Sequence, residues 1–314
     1  MTVASPASVT TVNAGLLVAA VDVGGTFTKA ALIDGDRKVR HTLRCPTPYG
    51  ADAVVDMVAD VLSELRTHAA APLAAAGVVV PGLVDEATGI ARLSVNLGWR
   101  DADLADRMTK RTGTVTYLGH DVRAGALAES ELGAAKGFHE VAFIPIGTGI
   151  AAGFISGGRV LTGDGYAGEV GHVIVEPGGE LCTCGNHGCL ETVSSARWLA
   201  RRYSALTGDK VTTALEVRDR LVAGDPAAAA VWADGVNAFA SVLAMIANTL
   251  APEVVVIGGG LSGAGADLLD PLRTRLAGLL TFQRMPKLVK ASLGDQAACL
   301  GAGLLALQKV RGAA

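Results

Sequence analysis

The chain has 314 residues, half of them hydrophobic and 18% charged, with 40 glycines and a formal net charge of −3. That length exceeds one ordinary hydrophobic core and points to two domains, while few aromatics beside many Ala, Val and Gly fit an α/β protein with strands buried on both faces. A slightly acidic balance without any basic run excludes the electrostatic footprint of a nucleic-acid or anionic-membrane binder.

Residues 1–13, rich in Ser, Thr, Ala and Val, read as a disordered tail. The apolar stretch from Gly15 to Val23 lacks the basic flank of a secretory signal: the first basic residue is Lys29, and Asp22 lies inside the run. No unbroken apolar run reaches 18 residues, since Pro252 and Glu253 interrupt the best stretch, Ala238 to Ile257. A cytoplasmic protein is expected. Leu16 to Ile33 reads as strand, glycine turn, strand, and Asp34-Gly35 leads to a third strand near Val39 to Leu43. Helical spacing follows over Ala51 to Ala70, with Val54, Val55, Val58, Val61, Leu62 and Leu65 on one face. AGVVVPGLVD reads as a buried strand ending in a Pro-Gly turn, Asp101 to Thr112 as a short helix, VTYLGHD as a strand, and Arg123 to Leu132 as a helix.

VAFIPIGTGIAAGFISGG then repeats the opening design, with Gly147 equivalent to Gly24. VVVIGGGLSGAG adds a third strand-to-glycine turn before a helix from Ala264 to Leu279, and Ala297 to Lys309 reads as an apolar helix returning to the first domain. This weak repeat predicts two similar α/β domains facing each other across a cleft: residues 14–119 plus 297–314, and residues 120–296.

In DVGGT, Gly24 and Gly25 free backbone amides to turn toward a phosphate, Thr26 adds a hydroxyl, and Asp22 can hold magnesium directly or through water. Gly147, Thr148 and Gly149 offer the same from the second domain, and Gly258, Gly259 and Gly260 form a further turn; each alone is also readable as a plain hairpin turn. No Walker loop is present, and GGGLSG lacks a fitting acidic ribose partner. Five cysteines, three of them crowded within eight residues, suit a metal better than a disulfide framework. His172, Cys182, Cys184 and Cys189 make a closed tetrahedral set for a structural zinc, with His187 a rival fourth ligand. Glu169, Glu191 and Asp121 are carboxylates able to accept paired hydrogen bonds from a polyol, although Asp121 also reads as an N-cap for the next helix.

D-V-G-G-T, V-P-G, G-T-G-I, G-E-V-G-H and C-x-C-G-x-x-G-C-x-E, in this order, resemble the ROK family of sugar kinases and repressors. The resemblance covers nearly the whole chain after the tail. It implies the actin-like ATPase fold of hexokinases (ribonuclease H-like), with ATP and sugar in the cleft, and Asp121 as the general base taking the proton of the sugar 6-hydroxyl. It further implies that Glu169, His172 and Glu191 contact the sugar, with His172 also on the zinc, and that Asn96 in NLGW is a further sugar contact. The cofactors implied are ATP, Mg2+ and structural Zn2+; the partner is a small-molecule sugar rather than nucleic acid or membrane, and a homo-oligomer, dimer or tetramer, is expected. The family's repressors carry an N-terminal helix-turn-helix of about 80 residues, for which the first glycine turn at Gly24 leaves no room, so a kinase is expected.

The family usually reads N-D-A-N around the base, whereas this chain reads His120-Asp121-Val122-Arg123, and the opening reads GGTFTK rather than GGTKI. His120 stands where an Asn touches ring hydroxyls, and it can point at the sugar or into its own domain. Arg123 is read as a cation near the base or as an ion-pair partner of Glu129. A glucose-like hexose is the expected substrate, with a modified glucose such as the amino sugar kanosamine as the alternative, and a non-catalytic sugar-binding regulator behind both.

Overall fold

The computed structural model describes residues 15–312; the tail expected over 1–13 lies outside the described residues. Two compact units are present. One comprises the residues up to Ala128, Thr162–Tyr166 and the residues from Gln296; the other comprises Glu129–Leu161 and Ala167–Asp295. The division expected at 119/120 thus falls instead at 128/129, which assigns His120 and Asp121 to the first unit.

The first unit is built on β1 (Leu17–Val23), β2 (Phe27–Asp34), β3 (Val39–Pro46), β4 (Leu73–Val80) and β8 (Thr116–His120), in the order β3-β2-β1-β4-β8. β1, β2 and β3 form an antiparallel meander, and β4 and β8 run parallel to β1. A smaller antiparallel sheet of β5 (Leu83–Asp85), β6 (Ile90–Ser94) and β7 (Trp99–Ala102) belongs to the same unit. β1 and β4 are almost wholly buried, which is why they read as continuous apolar runs. Helix α1 (Ala51–Thr67) buries the six apolar positions its spacing marked. Helices α2 (Leu104–Thr112) and α3 (Asp121–Glu131) follow. The helix expected from Asp101 begins three residues later, because Asp101 takes a left-handed φ of 48° at the end of β7.

The second unit repeats the plan. β9 (Val141–Pro145), β10 (Gly153–Ser156), β11 (Arg159–Val160), β12 (Val254–Gly258) and β13 (Lys287–Lys290) lie in the order β11-β10-β9-β12-β13. Numbered within each five-stranded sheet, both read 3-2-1-4-5, with an antiparallel meander followed by two parallel strands. Helices α4 (Leu190–Ser194), α5 (Ala196–Thr207), α6 (Ala214–Val222), α7 (Pro226–Leu250) and α8 (Ala266–Ala277) complete it. α7 is long and apolar enough to cross a membrane by length and composition. Its residues Val231, Trp232, Val236, Phe239, Leu243 and Ile246 are nevertheless part of this unit's core, at the three- and four-residue spacing of one helical face. The last helix, α9 (Ala297–Gly312), returns to the first unit and packs Ala302, Ala306 and Leu307 with Val18, Ala20 and Val79 of β1 and β4.

Candidate active-site residues

In the first unit, parallel pairing sets Asp22 opposite Val79 and Val79 opposite Gly119. The C-terminal ends of β1, β4 and β8 therefore share one edge, and the turn after β1 stands about 10 Å, two strand spacings, from the corner after β8. Open α/β sheets bind ligands at such an edge. The Gly24 amide closes the turn on the Phe27 carbonyl at 3.2 Å, leaving Gly25 and Thr26 exposed, while Asp22 is half-buried. Asn96 is exposed in the loop between β6 and β7.

Asp121 opens α3, and its Oδ1 accepts the Val122 amide hydrogen at 2.7 Å. Burial pushes its carboxyl up to about 6, against the opposing pull of that hydrogen bond and of the Arg123 charge. A carboxylate poised there removes a proton near neutral pH. His120 beside it is 5% exposed. Its Nδ1 accepts the Arg123 amide hydrogen at 3.4 Å, its Nε2 lies 3.4 Å from Asp121 Oδ1, and its own amide donates to Glu86 at 3.3 Å.

Arg123 is buried with Glu86: its Nε donates to Glu86 Oε1 at 2.7 Å, and its terminal nitrogens donate to the carbonyls of Val84 at 3.0 Å and Gly165 at 3.3 Å. The ion-pair alternative with Glu129 is therefore replaced by one with Glu86. Glu129 instead accepts amide hydrogens from Ala134, Ser292 and Leu293, a buried acceptor holding loop backbone. Glu86 carried no motif that marked it in the sequence; it is one of two adjacent acidic residues, Asp85 and Glu86, that follow the V-P-G turn.

In the second unit, Pro145 pairs with Gly258, Ile146 donates to the Gly258 carbonyl at 3.0 Å, and Leu261 donates to the Ile146 carbonyl at 3.0 Å. The Gly147–Gly149 and Gly258–Gly260 turns are thereby adjacent at the end of β9 and β12. Gly147, Thr148 and Gly260 line a cavity of about 410 Å³ with Arg197, Thr213 and Leu215. Those last three were not singled out from the sequence, and the Ser195 and Thr213 N-caps of α5 and α6 are the signal that could have located them. Glu191 is half-buried, and its Oε2 accepts the Ile150 amide hydrogen at 3.2 Å. A Cβ on Gly149 would stand 2.5 Å from that oxygen, so only glycine fits there without moving Glu191.

The ligand atoms of His172, Cys182, Cys184 and Cys189 all lie within 4.8 Å of one another. Cys184 Sγ is 3.6 Å from Cys189 Sγ, and Cys182 Sγ is 3.6 Å from His172 Nδ1. Ligands tetrahedrally placed on zinc at ordinary bond lengths stand about 3.5–3.8 Å apart, so the donor set and its spacing both fit that ion. His172 turns its other nitrogen toward Glu169, 3.8 Å away, the outer carboxylate that commonly orients a ligating imidazole. His187 lies outside the cluster, exposed and bonded to the Gly179 carbonyl at 3.0 Å. The loop depends on Gly188, whose φ is +72° and whose absent Cβ would meet the Glu176 carbonyl oxygen at 1.6 Å.

Two α/β units with the same strand order, each with a glycine turn after its first strand, have the fold of the actin-like ATPases. The chain belongs to the ROK family, whose model matches residues 18–309. It is 33% identical to a glucokinase of Thermotoga maritima over 93% of this chain and 98% of that one. It is 31% identical to a kanosamine kinase of Amycolatopsis mediterranei over 91% of this chain and 94% of that one. Among solved structures, a ROK hexokinase from Thermus thermophilus superposes with a TM-score of 0.83 at 33% identity, over 95% of this chain and all of that one. A ROK family glucokinase from Streptomyces griseus, in complex with glucose and AMPPNP, superposes with a TM-score of 0.79 at 29% identity, over 93% and 99% of the two chains.

Proposed function

We propose that the protein transfers the γ-phosphoryl group of ATP to the 6-hydroxyl of a glucose-like hexose. The observation that carries this reading is the shared edge of the first sheet, where Asp121 and the Asp22–Thr26 turn end strands two apart. Asp121 removes the proton of the sugar 6-hydroxyl, that oxygen bonds to the γ-phosphorus in line, and the bond to the β,γ-bridging oxygen breaks to release ADP. Asp22 and Thr26 offer only oxygen ligands, the set that magnesium accepts while keeping waters and phosphates; the ion, when bound, neutralises phosphate charge. The turn at Gly147–Gly149 receives phosphate through its backbone, and Thr213 and Leu215 offer the neighbouring cavity a hydroxyl and an apolar wall for a nucleoside. Glu169, His172 and Glu191 hold sugar hydroxyls, with Asn96 a further contact. His172, Cys182, Cys184 and Cys189 hold a structural zinc that fixes the loop carrying Glu191.

The test is ADP release measured with glucose, mannose, glucosamine, N-acetylated hexosamines and kanosamine, with Asp121→Asn as control. Turnover of glucose that vanishes in the control supports the reading; no ADP release with any of these sugars refutes it. A second reading, an amino sugar as the preferred substrate, is favoured by the kanosamine kinase relative. Higher kcat/KM for kanosamine than for glucose in the same screen decides for it.

A further inference from the structure

We propose that His120 is a positioning residue whose imidazole, locked by the Arg123 backbone, holds the Asp121 carboxylate in register for proton removal instead of reading the sugar. This rests on the assignment of Asp121 as the base. Three observations carry it. The ring is 5% exposed, so it offers little surface to a ligand. Its Nδ1 accepts from the Arg123 amide, which makes that nitrogen the acceptor and leaves the proton of the neutral ring on Nε2. Nε2 in turn lies 3.4 Å from Asp121 Oδ1, so the ring nitrogen that carries the proton stands beside the carboxylate.

The lock is itself supported. Arg123, from α3, and Glu86, just after β5, pair with each other, and Glu86 also takes the His120 amide hydrogen. The two departures from the family pattern, His120 and Arg123, thus work as one unit with Glu86 around the base. A histidine at this place keeps a donor aimed at Asp121 that a shorter Asn cannot extend as far.

The experiment compares the full chain with His120→Asn and His120→Gln, because a Gln amide nitrogen reaches where Nε2 stands and an Asn amide reaches only where Nδ1 stands. Steady-state rates with the preferred sugar are taken across about pH 5.5 to 8.5, the range in which imidazole titrates. The Asn variant is expected to lose about tenfold in kcat, the effect of ~1.4 kcal/mol of lost positioning, with KM for sugar little changed. Losing a donor to the charged form also raises the acid limb of kcat/KM to higher pH. The Gln variant is expected to recover most of kcat and to restore the limb. A raised sugar KM at unchanged kcat in the Asn variant, or no change in either parameter, overturns the proposal. Circular dichroism and ATP binding report whether each variant folds; should Asn not fold, a Gln variant as slow as about a tenth of wild type overturns it alone. Asp121→Asn runs beside them: if that variant keeps its kcat, the base assignment itself fails, an outcome distinct from any His120 result.

Discussion

Glu191 accepts the Ile150 amide hydrogen at 3.2 Å, two residues after Cys189 and directly beyond the glycine turn that follows β9. One carboxylate therefore joins the cysteine loop to the Gly147–Gly149 turn. Gly149→Ala places a methyl 2.5 Å from Glu191 Oε2. The carboxylate is the mobile partner, so the expected outcome is a modest stability loss of about 1 kcal/mol with a much larger fall in sugar affinity. Thermal melts beside sugar titration by calorimetry measure both; unchanged affinity would remove Glu191 from the sugar site.

Metal content follows from the same loop. Protein purified without chelator is expected to carry one zinc per chain by elemental analysis. Cys184→Ser is expected to lose the ion, lower the melting temperature and weaken sugar binding, since the free energy of a closed metal site is largely folding free energy. Retained zinc in Cys184→Ser would count against the four-residue set.

The Asp121 carboxyl fixes two pH effects at once. Its value in the folded chain, about 6, lies above the ordinary 3.8. A carboxyl raised on folding contributes stability fully below its unfolded value and loses it as pH rises through the folded one. Asp121→Asn should therefore be more stable than wild type by about 1–3 kcal/mol above pH 6.5, with the gap closing toward pH 4. In the opposite direction, kcat should fall by about 10²–10⁴ in that variant, and wild-type kcat/KM should decline as pH drops through about 6. Urea melts at both ends of the range and a pH–rate profile test the pair.

Arg123 and Glu86 form an ion pair with side-chain exposures of 2% and 19%. Arg123→Met leaves Glu86 charged and alone in a recess, at an expected cost of about 3–5 kcal/mol. Adding Glu86→Gln should restore a large part of that, because it removes the orphaned charge. Equal stability of the single and double variants would show that Glu86 reaches water unaided.

The first halves of both units were legible because buried parallel strands leave long apolar runs closed by glycine turns, and the repeat around Gly24 and Gly147 reappears as identical strand order. The metal cluster was legible because three cysteines and a histidine at tight spacing have few other uses. Less visible was the three-stranded sheet that carries Asn96, since its strands are three to five residues long and only partly apolar. The starts of helices α5 to α7 were marked by their caps, Ser195, Thr213 and the Asp225-Pro226 pair. The partner of Arg123 could not be read at all: Glu86 is 37 residues away in sequence, and such a pairing is set by tertiary packing rather than by local spacing.

The return of α9 gives the chain a birth-order problem. Val18, Ala20 and Val79 of the first sheet pack against Ala302, Ala306 and Leu307, which leave the ribosome only after the whole second unit. Synthesis of the stretch between Ala128 and Gln296 takes roughly 8–35 s at ~5–20 residues per second. Throughout that interval one apolar sheet face has no cover of its own. The second unit can close before the first, which is completed only once the residues from Gln296 are made. A nascent chain halted before Ala297 should accordingly be held by chaperones and cut readily within its N-terminal sheet, while the second unit already resists proteolysis.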